Sequence, residues 1–575
     1  MRVRSRFNYF HIALIAAFAA GTILRMHMLL SQILLDDEWH GIIAALTGKG
    51  LWNIITSYNP FDNSSTPLNI YNYLVLKYFG LSELAVRLPS VLSGILSLIL
   101  LPLALRKVLN EKTAIVFAVL LSISPFLIFY SRFAKAYGPM MLLSFLALLQ
   151  GYQWLTTGKR TKAAWYVFLG CLAVYMHPFA VFAAVWPLVF ALADFPARKL
   201  RREGILGANA PAIKDSISVA VIASGIVFAE SWPMLLKSAK LPLERGGFTS
   251  AGLLTALSLQ SGTANFFLNA SFYLLAAFGL VSLLRRRPVL GWLLSCAVCC
   301  CMAVLAITRP YGIQNGMVLL RYMIFAVPIT LALVAIAFAD FITRVTRKEN
   351  PAPQLLVAAA GFAGLLFAAG PLSGIYSFPN NFTNHSAYQG YYNHINWGHS
   401  DAHNIYHDFS VSSETVPPFY LWLRKQSDIK VIVEYPFDVC DFNDLFYYYQ
   451  HFHKKRVIAG YCSDFHLRGY SEKSSATVGM LSADLILAGL PGTKAKFRNM
   501  VDVVNPAGLS ARGVDIIVFH KYIMAPSFSP EIKKGFIRID YRSVPFLENI
   551  YQFVFGKPIY DDGQIVCFRI SHGGK

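Results

Sequence analysis

The chain has 575 residues, of which 55% are hydrophobic and only 14% are charged, and its formal net charge is +20. So little charge excludes an ordinary soluble protein of this length, because a soluble surface needs more charged residues. The basic residues lie in short clusters between apolar runs, which favours membrane orientation over nucleic-acid binding as the reason for the positive charge. We therefore predict a multi-spanning α-helical membrane protein.

Apolar runs of about 20 residues, each long enough to cross a bilayer, recur from the N-terminus to residue 375. Basic clusters at every second connection mark the cytoplasmic side and predict about eleven spans, with the N-terminus in the cytoplasm and the C-terminus outside. The first run lacks a small-residue cleavage site and is predicted to be a retained span. The spans are predicted at 10–30, 86–105, 113–130, 138–156, 163–182, 180–196, 216–234, 265–284, 289–308, 320–342 and 354–375.

The first outer loop contains two amphipathic stretches, 42–55 and 68–80, that are too short to cross a membrane. Both are predicted to be helices lying in the membrane interface. Ser65 and Thr66 are the predicted cap of the second helix, with Pro67 in its first turn.

The composition becomes that of a globular protein after about Tyr376. We predict a membrane domain at 1–375, which includes the first outer loop at 31–87, and a soluble α/β domain at 376–575 on the outer face. The stretches "KVIVEYPF", "RVIAGYC", "VDIIVFH" and "QIVCFRI" are predicted strands, and "PPFYLWLRKQ" is a predicted helix.

Cysteine and histidine patterns in the C-terminal region leave alternatives open. Cys440 and Cys462 are the two cysteines in polar outer surroundings, where a disulfide persists, but spacing does not fix their pairing. His399, His403 and His407 share a helical face yet span two turns, which is too far for one metal ion without bending. Contacts of the neighbouring aromatic rings with sugar or acceptor explain the segment equally well. We predict that no metal cofactor is required.

Three consecutive acids, Asp36-Asp37-Glu38, follow the first span and lead into the first interfacial helix. Basic side chains lie at the predicted outer ends of several spans, namely Arg25, Arg87, Arg132, Lys135, His177 and Arg321. A carboxylate base beside cations suits a reaction that activates a hydroxyl group and expels a phosphate. The alternatives are cations that extend to the lipid headgroups and, for His177, a buried structural histidine.

The order of short motifs resembles the GT-C membrane glycosyltransferases, and more narrowly the family of protein O-mannosyltransferases and aminoarabinose lipid A transferases. These motifs are "LR…Q.LL.DEW" from Leu24, "RLPSVLSG" from Arg87, "SP…YSRFAKAY" from Ser124, "MHPF" from Met176 and "LRYM" from Leu320. The C-terminal "FGKPIYDDGQIVCFRI" is similar to the terminal hairpin of bacterial members.

The resemblance implies an enzyme that transfers a sugar from a polyprenyl-phosphate donor to a lipid, glycan or protein acceptor on the outer face. It implies that the catalytic carboxylate is Asp37, with Glu38 beside it, and that Lys135 matches the basic residue before the tyrosine of the third motif, where arginine is more usual. One departure is Ser65-Thr66-Pro67, which replaces the Glu-Lys-Pro of aminoarabinose transferases and argues against that substrate.

The residues themselves support a minimal assignment for an inverting displacement. Asp37 is the predicted base, since it has to accept the proton of the acceptor hydroxyl. The departing phosphate needs cations, because it leaves as an anion. The predicted phosphate-binding residues are Lys135, Arg321, Arg132 and Tyr137, and the candidate substrate contacts are Arg25, Arg87 and His177.

Other functions remain open at this level. A transporter or flippase for a lipid-linked sugar would carry ionisable groups at mid-membrane and broken spans, whereas here the charges gather at one face. An oligosaccharide ligase or polymerase is a nearer competitor. The predicted location is a bacterial inner membrane with the C-terminal domain in the periplasm. The triplets "NSS", "NFT" and "NHS" also fit glycosylation in an endoplasmic-reticulum protein.

Overall fold

A computed structural model gives the architecture of most of the N-terminal two thirds of the chain and of parts of the remainder. The described residues are 9–26, 29, 38, 41–42, 45, 50–56, 65–80, 82–201, 206, 210–238, 246–310, 313–346, 352–370, 372, 416–435, 449, 452–458, 509–510, 513–520, 522–526, 536–540, 552, 555–562 and 565–571. They form two compact units. The first holds the helices from Tyr9 to Ala368, and the second holds Glu38 and the described residues from Val416 onward.

The described residues of the first unit form helices and their connections, without strands. Its helices are α1 (Tyr9–Met26), α2 (Leu51–Thr56), α3 (Thr66–Tyr78), α4 (Glu83–Val108), α5 (Glu111–Ser122), α6 (Pro125–Ser131), α7 (Tyr137–Thr157), α8 (Arg160–Met176), a 3-10 turn (Pro178–Ala180), α9 (Val181–Ala184), α10 (Trp186–Arg201), α11 (Ile213–Ser238), α12 (Ser250–Ser261), α13 (Phe266–Arg286), α14 (Pro288–Thr308), α15 (Gly316–Tyr322), α16 (Ala326–Thr346) and α17 (Ala352–Ala368).

Six segments of the described chain are long and apolar enough to cross a membrane, and a bent pair of helices, α5 and α6, makes a seventh if it counts as one span. The six are α1, α4, Pro178–Pro196, α13, α14 and α16. Helical structure is present at each of the eleven predicted positions. The count of eleven spans therefore stays a prediction, while a mostly helical protein with several candidate spans is confirmed.

The predicted span at 113–130 is broken. Helix α5 ends at Ser122, α6 begins at Pro125, and their axes differ by 62°. Proline has no backbone N–H and disfavours helical geometry in the residue before it, so Pro125 fits the first turn of a new helix but not the continuation of the old one. Ser124 accordingly is extended, with φ −63° and ψ 111°.

Small residues on α4 let the connection between α6 and α7 pack directly against that helix. A Cβ atom at Gly94 would lie 2.2 Å from the Cβ of Ser131, and one at Gly138 would lie 2.9 Å from the Oγ of Ser93. Glycine is required at both positions because neither contact leaves room for a side chain. The hydroxyl of Ser90 donates a 2.8 Å hydrogen bond to the backbone carbonyl of Lys135, which fixes the turn that carries this lysine.

The described part of the second unit is a mixed α/β structure. Its elements are α18 (Pro418–Lys425), β1 (Val431–Tyr435), β2 (Arg456–Ile458), β3 (Ile516–His520), β4 (Tyr522–Pro526), β5 (Phe536–Asp540), β6 (Tyr560–Asp561) and β7 (Ile565–Arg569). Strand β1 pairs in parallel with β2 and β3, and β7 pairs antiparallel with β3 and β6, which gives the sheet order β2-β1-β3-β7-β6. A separate antiparallel pair is formed by β4 and β5.

All four strands predicted in the C-terminal region are confirmed, as are the helix α18 and the terminal hairpin of β6 and β7. The pair β4–β5 was not predicted. Other predictions fall on residues outside the described ones, namely Cys440, Cys462, His399, His403, His407, the three glycosylation triplets and the domain boundary near Tyr376.

Candidate functional site

Three segments that lie far apart in the sequence bring two cations, a histidine and two tyrosines together. The guanidinium carbon of Arg321 lies 5.6 Å from the ring centres of both Tyr137 and Tyr322. The ring centre of His177 lies 5.2 Å from that of Tyr137 and 6.0 Å from that of Tyr322. Lys135 and Arg321 both lie close enough to His177 to act on it electrostatically. We call these five residues the cation–aromatic cluster.

The motif "MHPF" places His177 at a helix end. Helix α8 stops at Met176, and His177 is extended, with φ −160° and ψ 129°. Pro178 then begins the 3-10 turn, since a proline is tolerated in a first turn but not within a helix. The Nδ1 atom of His177 accepts a 3.4 Å hydrogen bond from the backbone N–H of Phe179, which sets the direction of the ring.

Arg321 is held by the short helix α15 and by aromatic rings. The side chain of Asn315 caps this helix by accepting a 2.9 Å hydrogen bond from the backbone N–H of Met317. At the other end, Tyr322 stacks on Phe179 with ring centres 4.8 Å apart and planes 19° apart. The guanidinium therefore lies near two ring faces, an arrangement that stabilises a cation and limits its rotamers.

The cluster suits the binding of an anion. Lys135 is only 8% exposed and His177 only 4% exposed, so these groups lie away from bulk water, where charges interact more strongly. A lysine acts on phosphate as a point charge, and an arginine acts as a planar fork. Lys135 and Arg321 together offer both modes at one place, where the rings of two tyrosines lie near the guanidinium group.

Two of the predicted arginines connect helix ends. The guanidinium of Arg25 donates to the carbonyls of Leu121 (3.4 Å) and Ser122 (3.2 Å), in the last turn of α5, and to that of Gly21 (2.9 Å) in α1. Arg132 in turn donates a 2.8 Å hydrogen bond to the carbonyl of Arg25. Carbonyls at a helix C-terminus lack partners within the helix and carry partial negative charge, which explains the cations found there.

Arg87 is fully buried as well, and its guanidinium donates to the carbonyl of Leu29 at 3.4 Å. These described contacts give Arg25, Arg87 and Arg132 a structural role. Their predicted contacts with substrate or phosphate stay predictions. Of the predicted cationic residues, the structure thus brings Lys135, His177 and Arg321 together.

The acidic triplet is described only at its last residue. Glu38 is fully buried and belongs to the second unit. Asp36 and Asp37 lie outside the described residues, so the predicted base stays a prediction. Within the described chain, no group of three or more His, Cys, Asp or Glu side chains is placed to hold a metal ion.

Sequence reasoning missed Tyr322 and Phe179 as members or supports of the site. Both lie close to predicted site residues in the sequence, because Tyr322 follows Arg321 and Phe179 follows the pair His177-Pro178. An aromatic residue beside each selected cation or histidine was the available signal, since aromatic faces commonly confine guanidinium groups. Tyr137, which was predicted, contacts both Arg321 and His177.

Part of the membrane domain is similar to a known protein family. Residues 71–214 match the family described as dolichyl-phosphate-mannose-protein mannosyltransferase. The predicted resemblance is confirmed for this segment. It contains five of the predicted site residues, Arg87, Arg132, Lys135, Tyr137 and His177. Among curated proteins, none has a sequence that matches the chain.

Several solved structures are similar to the chain at low sequence identity. ArnT from Cupriavidus metallidurans in the apo state is 12% identical, with a TM-score of 0.48 over 98% of each chain. The Archaeoglobus fulgidus oligosaccharyltransferase is 13% identical, with a TM-score of 0.44 over 88% of this chain and 68% of its own. The arabinofuranosyltransferase AftD from Mycobacteria is 12% identical, with a TM-score of 0.38 over 89% of this chain and 35% of its own.

Proposed function

We propose that this protein is a membrane glycosyltransferase that moves a sugar from a polyprenyl-phosphate donor to a lipid, glycan or protein acceptor. The observation that carries the proposal is the cation–aromatic cluster. Two cations and a histidine meet there at helix ends, and three members of the cluster, Lys135, Tyr137 and His177, lie in the segment that matches the mannosyltransferase family. A site for a phosphate leaving group needs this charge.

An apolar groove beside the cluster supports a donor with an isoprenoid chain. The groove has a volume of about 400 Å³ and lies between α8, the following 3-10 turn and α9, α10 and α11. Its lining includes Val174, Pro178, Val181 and Phe228. Pro178 directly follows His177, so the groove begins next to the cluster. A lipid chain in this groove would place its phosphate near Lys135 and Arg321.

The proposed reaction is a single inverting displacement. Asp37 accepts the proton of the acceptor hydroxyl as the acceptor oxygen bonds to the anomeric carbon of the sugar. The bond between this carbon and the phosphate oxygen breaks, and the electron pair leaves with the polyprenyl phosphate. Lys135 and Arg321 stabilise the negative charge that grows on that phosphate, with Tyr137 as a hydrogen-bond donor to it. No metal ion takes part in the reaction as proposed.

The proposed location is the inner membrane of a bacterium. The N-terminus lies in the cytoplasm and the C-terminal region in the periplasm, so transfer takes place on the outer face. Support comes from the basic clusters of the sequence, which lie at the opposite helix ends from the cation–aromatic cluster.

The test is transfer of a labelled sugar from a polyprenyl-phosphate donor by purified Lys135→Ala and Arg321→Ala variants. Each is expected to lose about tenfold or more in transfer and to bind free polyprenyl phosphate more weakly, because a charged contact to the phosphate is lost. Arg160→Ala is the matched control. This arginine makes an exposed ion pair with Asp215 at the predicted cytoplasmic end and should change neither property. Unchanged phosphate binding in both variants would contradict the proposal.

A further inference from the structure

Helix α3 buries two asparagines that carry polar atoms without described partners. Asn72 is fully buried and Asn69 is 8% exposed. Both polar atoms of the Asn72 side chain, and the amide oxygen of Asn69, have no hydrogen-bond partner among the residues that the structure describes. Burial of an unpaired amide is costly, and almost all buried polar groups in proteins are paired. Two such side chains one turn apart are therefore candidates for contact with a bound molecule.

The two asparagines point towards the end of α8. The hydroxyl of Ser65, just before α3, lies 3.9 Å from the sulfur of Met176, and this contact fixes the direction of that side of the helix. Successive residues of an α-helix are about 100° apart, so Asn69 and Asn72 lie within about 40° of the direction of Ser65. Tyr71 lies on a different side, where its hydroxyl donates a 2.6 Å hydrogen bond to the carbonyl of Ala85 in α4.

The start of helix α3 is linked to the cation–aromatic cluster through Met176. This methionine, which Ser65 contacts, directly precedes His177. With a rise of about 1.5 Å per residue, Asn69 lies about 6 Å and Asn72 about 10 Å along the helix axis from Ser65. Helix α3 also contacts α4 and α8, the helices that support the turn with Lys135 and the end with His177. The face that carries the asparagines therefore begins one residue away from a member of the cluster.

The chemistry of an amide selects the kind of group that binds here. A side-chain amide offers two N–H donors and one acceptor oxygen without net charge, which complements neighbouring hydroxyl groups of a sugar. An amine on the sugar would require a negative charge beside it, and an amide side chain supplies none.

We propose that Asn69 and Asn72 bind the hydroxyl groups of the donor sugar and that this sugar is uncharged. The inference rests on the proposed function, in which the same donor places its phosphate on Lys135 and Arg321. The two residues contact substrate but do not take part in bond making or breaking. Their role is to select the sugar and to hold its anomeric carbon in line with the acceptor.

The experiment replaces each asparagine by leucine, which has nearly the same shape but no polar atoms. Because these polar atoms have no described partner in the free protein, Asn72→Leu and Asn69→Leu should melt at the same temperature as wild type or higher. Transfer of a neutral hexose or pentose from a polyprenyl-phosphate donor should nevertheless fall about tenfold or more in kcat/KM. A structural role would give the opposite pattern, with a lower melting temperature and little change in transfer.

A second variant and a control make the test specific for the sugar. Asn72→Asp keeps the shape but introduces a negative charge, so it should lower transfer of the neutral sugar and raise the relative rate with an amino sugar. Tyr71→Phe removes the hydrogen bond between α3 and α4 on another side of the helix. It should lower the melting temperature without changing the ratio of rates for the two sugars.

Binding measurements separate this inference from the proposed function. Free polyprenyl phosphate should bind equally well to wild type and to Asn72→Leu, whereas the sugar-loaded donor should bind the variant more weakly. If Lys135→Ala loses transfer while both leucine variants keep it for the neutral sugar, the inference alone is wrong. A wild-type protein that neither binds polyprenyl phosphate nor transfers sugar would overturn the proposed function and this inference with it.

Discussion

A buried carboxylate of the second unit has a hydrogen-bond donor at one of its oxygens, whereas a buried amide of the first unit has no described partner at either polar atom. In the second unit, the fully buried carboxylate of Glu434 accepts a 2.6 Å hydrogen bond from the hydroxyl of Tyr420, and the Tyr420 ring stacks on that of Tyr449. In the first unit, the amide of Asn72 is equally buried and makes no hydrogen bond to a described residue. The first pair stabilises the fold through a contact within the chain, whereas the second side chain is a candidate for a contact with substrate.

The largest effect is expected at the acid predicted to complete the site. Asp37→Asn keeps the size of the side chain but removes its basicity, so sugar transfer should fall about 10²-fold or more. Donor binding should change little, because the cations that hold the phosphate are untouched. The measurement is transfer by purified variants with a labelled polyprenyl-phosphate donor at matched expression.

Asp36→Asn is the matched control for the neighbouring acid. In the helix that the sequence predicts to begin here, successive residues point about 100° apart and both acids cannot act on one target, so this variant should stay within a few-fold of wild type. Loss of transfer in Asp36→Asn with normal turnover in Asp37→Asn would shift the assignment by one residue. Activity in both variants would exclude the acidic loop from catalysis.

Arg25 provides a test of a buried cation that binds carbonyls rather than ligand. Arg25→Met removes the donors to α5 and leaves carbonyls in a buried position without them, which should cost about 2–3 kcal/mol of stability. Thermal melting of the full-length protein in detergent measures the loss. Normal melting combined with weaker donor binding would instead place Arg25 among the substrate contacts.

Tyr420→Phe removes the buried hydrogen bond between Tyr420 and Glu434 in the second unit. The Glu434 carboxylate then loses its described donor within the core, and the second unit should lose about 1–3 kcal/mol of stability. The measurement is the rate at which a protease cleaves the C-terminal region of the native full-length protein. Tyr560→Phe is the control, since its hydrogen bond to Asp562 lies in a more exposed place. Equal protease resistance of Tyr420→Phe and wild type would contradict the prediction.

The same pair predicts a loss of stability at alkaline pH. Burial, followed by the negative charge of Glu434, raises the pKa of Tyr420 well above the ordinary value of 10.0. A folded-state pKa above the unfolded value stabilises the fold below pH 10, and this contribution is lost as the pH rises further. Protease resistance of the second unit should therefore decline above pH 10, and less steeply in Tyr420→Phe. A profile unchanged by this substitution would contradict the assignment.

The smallest effect is expected at the surface of the second unit. Arg569 donates a 2.6 Å hydrogen bond to Asp428, which lowers the pKa of this carboxyl group, but both side chains are about half exposed. Exposed pairs contribute little because water and salt screen them. Asp428→Asn should leave the melting temperature unchanged within error at low and at high salt. A clearly lower melting temperature at low salt would contradict the prediction and show that this pair stabilises the second unit.

Much of the fold follows from local pattern. Apolar runs predict the positions of the membrane helices, and short alternating or apolar stretches predict β1, β2, β3 and β7, because burial sets both patterns. The break at Ser124 and Pro125 was visible as a proline signal, yet the apolar run continued across it and predicted one span. An apolar composition predicts that a segment is buried, but it does not predict where the helix axis changes direction.

The site depends on long-range contacts that spacing does not encode. In the sequence, nothing distinguishes His177, Lys135 and Arg321 from any other basic residue or histidine at the end of a span. The same is true of Arg25, whose guanidinium binds a carbonyl nearly one hundred residues away in the structure. Ser65 was predicted to cap α3, and it does precede this helix, but its hydroxyl contacts Met176 instead of the helix N–H groups. Tertiary packing decides which of these possible contacts a side chain makes.

The contact between Arg25 and the end of α5 also bears on how the protein is made. Arg25 is separated by 97 residues from Ser122, one of its acceptors, so the ribosome synthesises the arginine long before the carbonyl groups that accept its hydrogen bonds. A charged side chain near the end of an isolated span keeps its head at the membrane surface, which lets α1 insert on its own. We expect the side chain to move inward when α5 is present and to join the two helices. In that order of events, the packing of α1 is completed only after α5 has been synthesised.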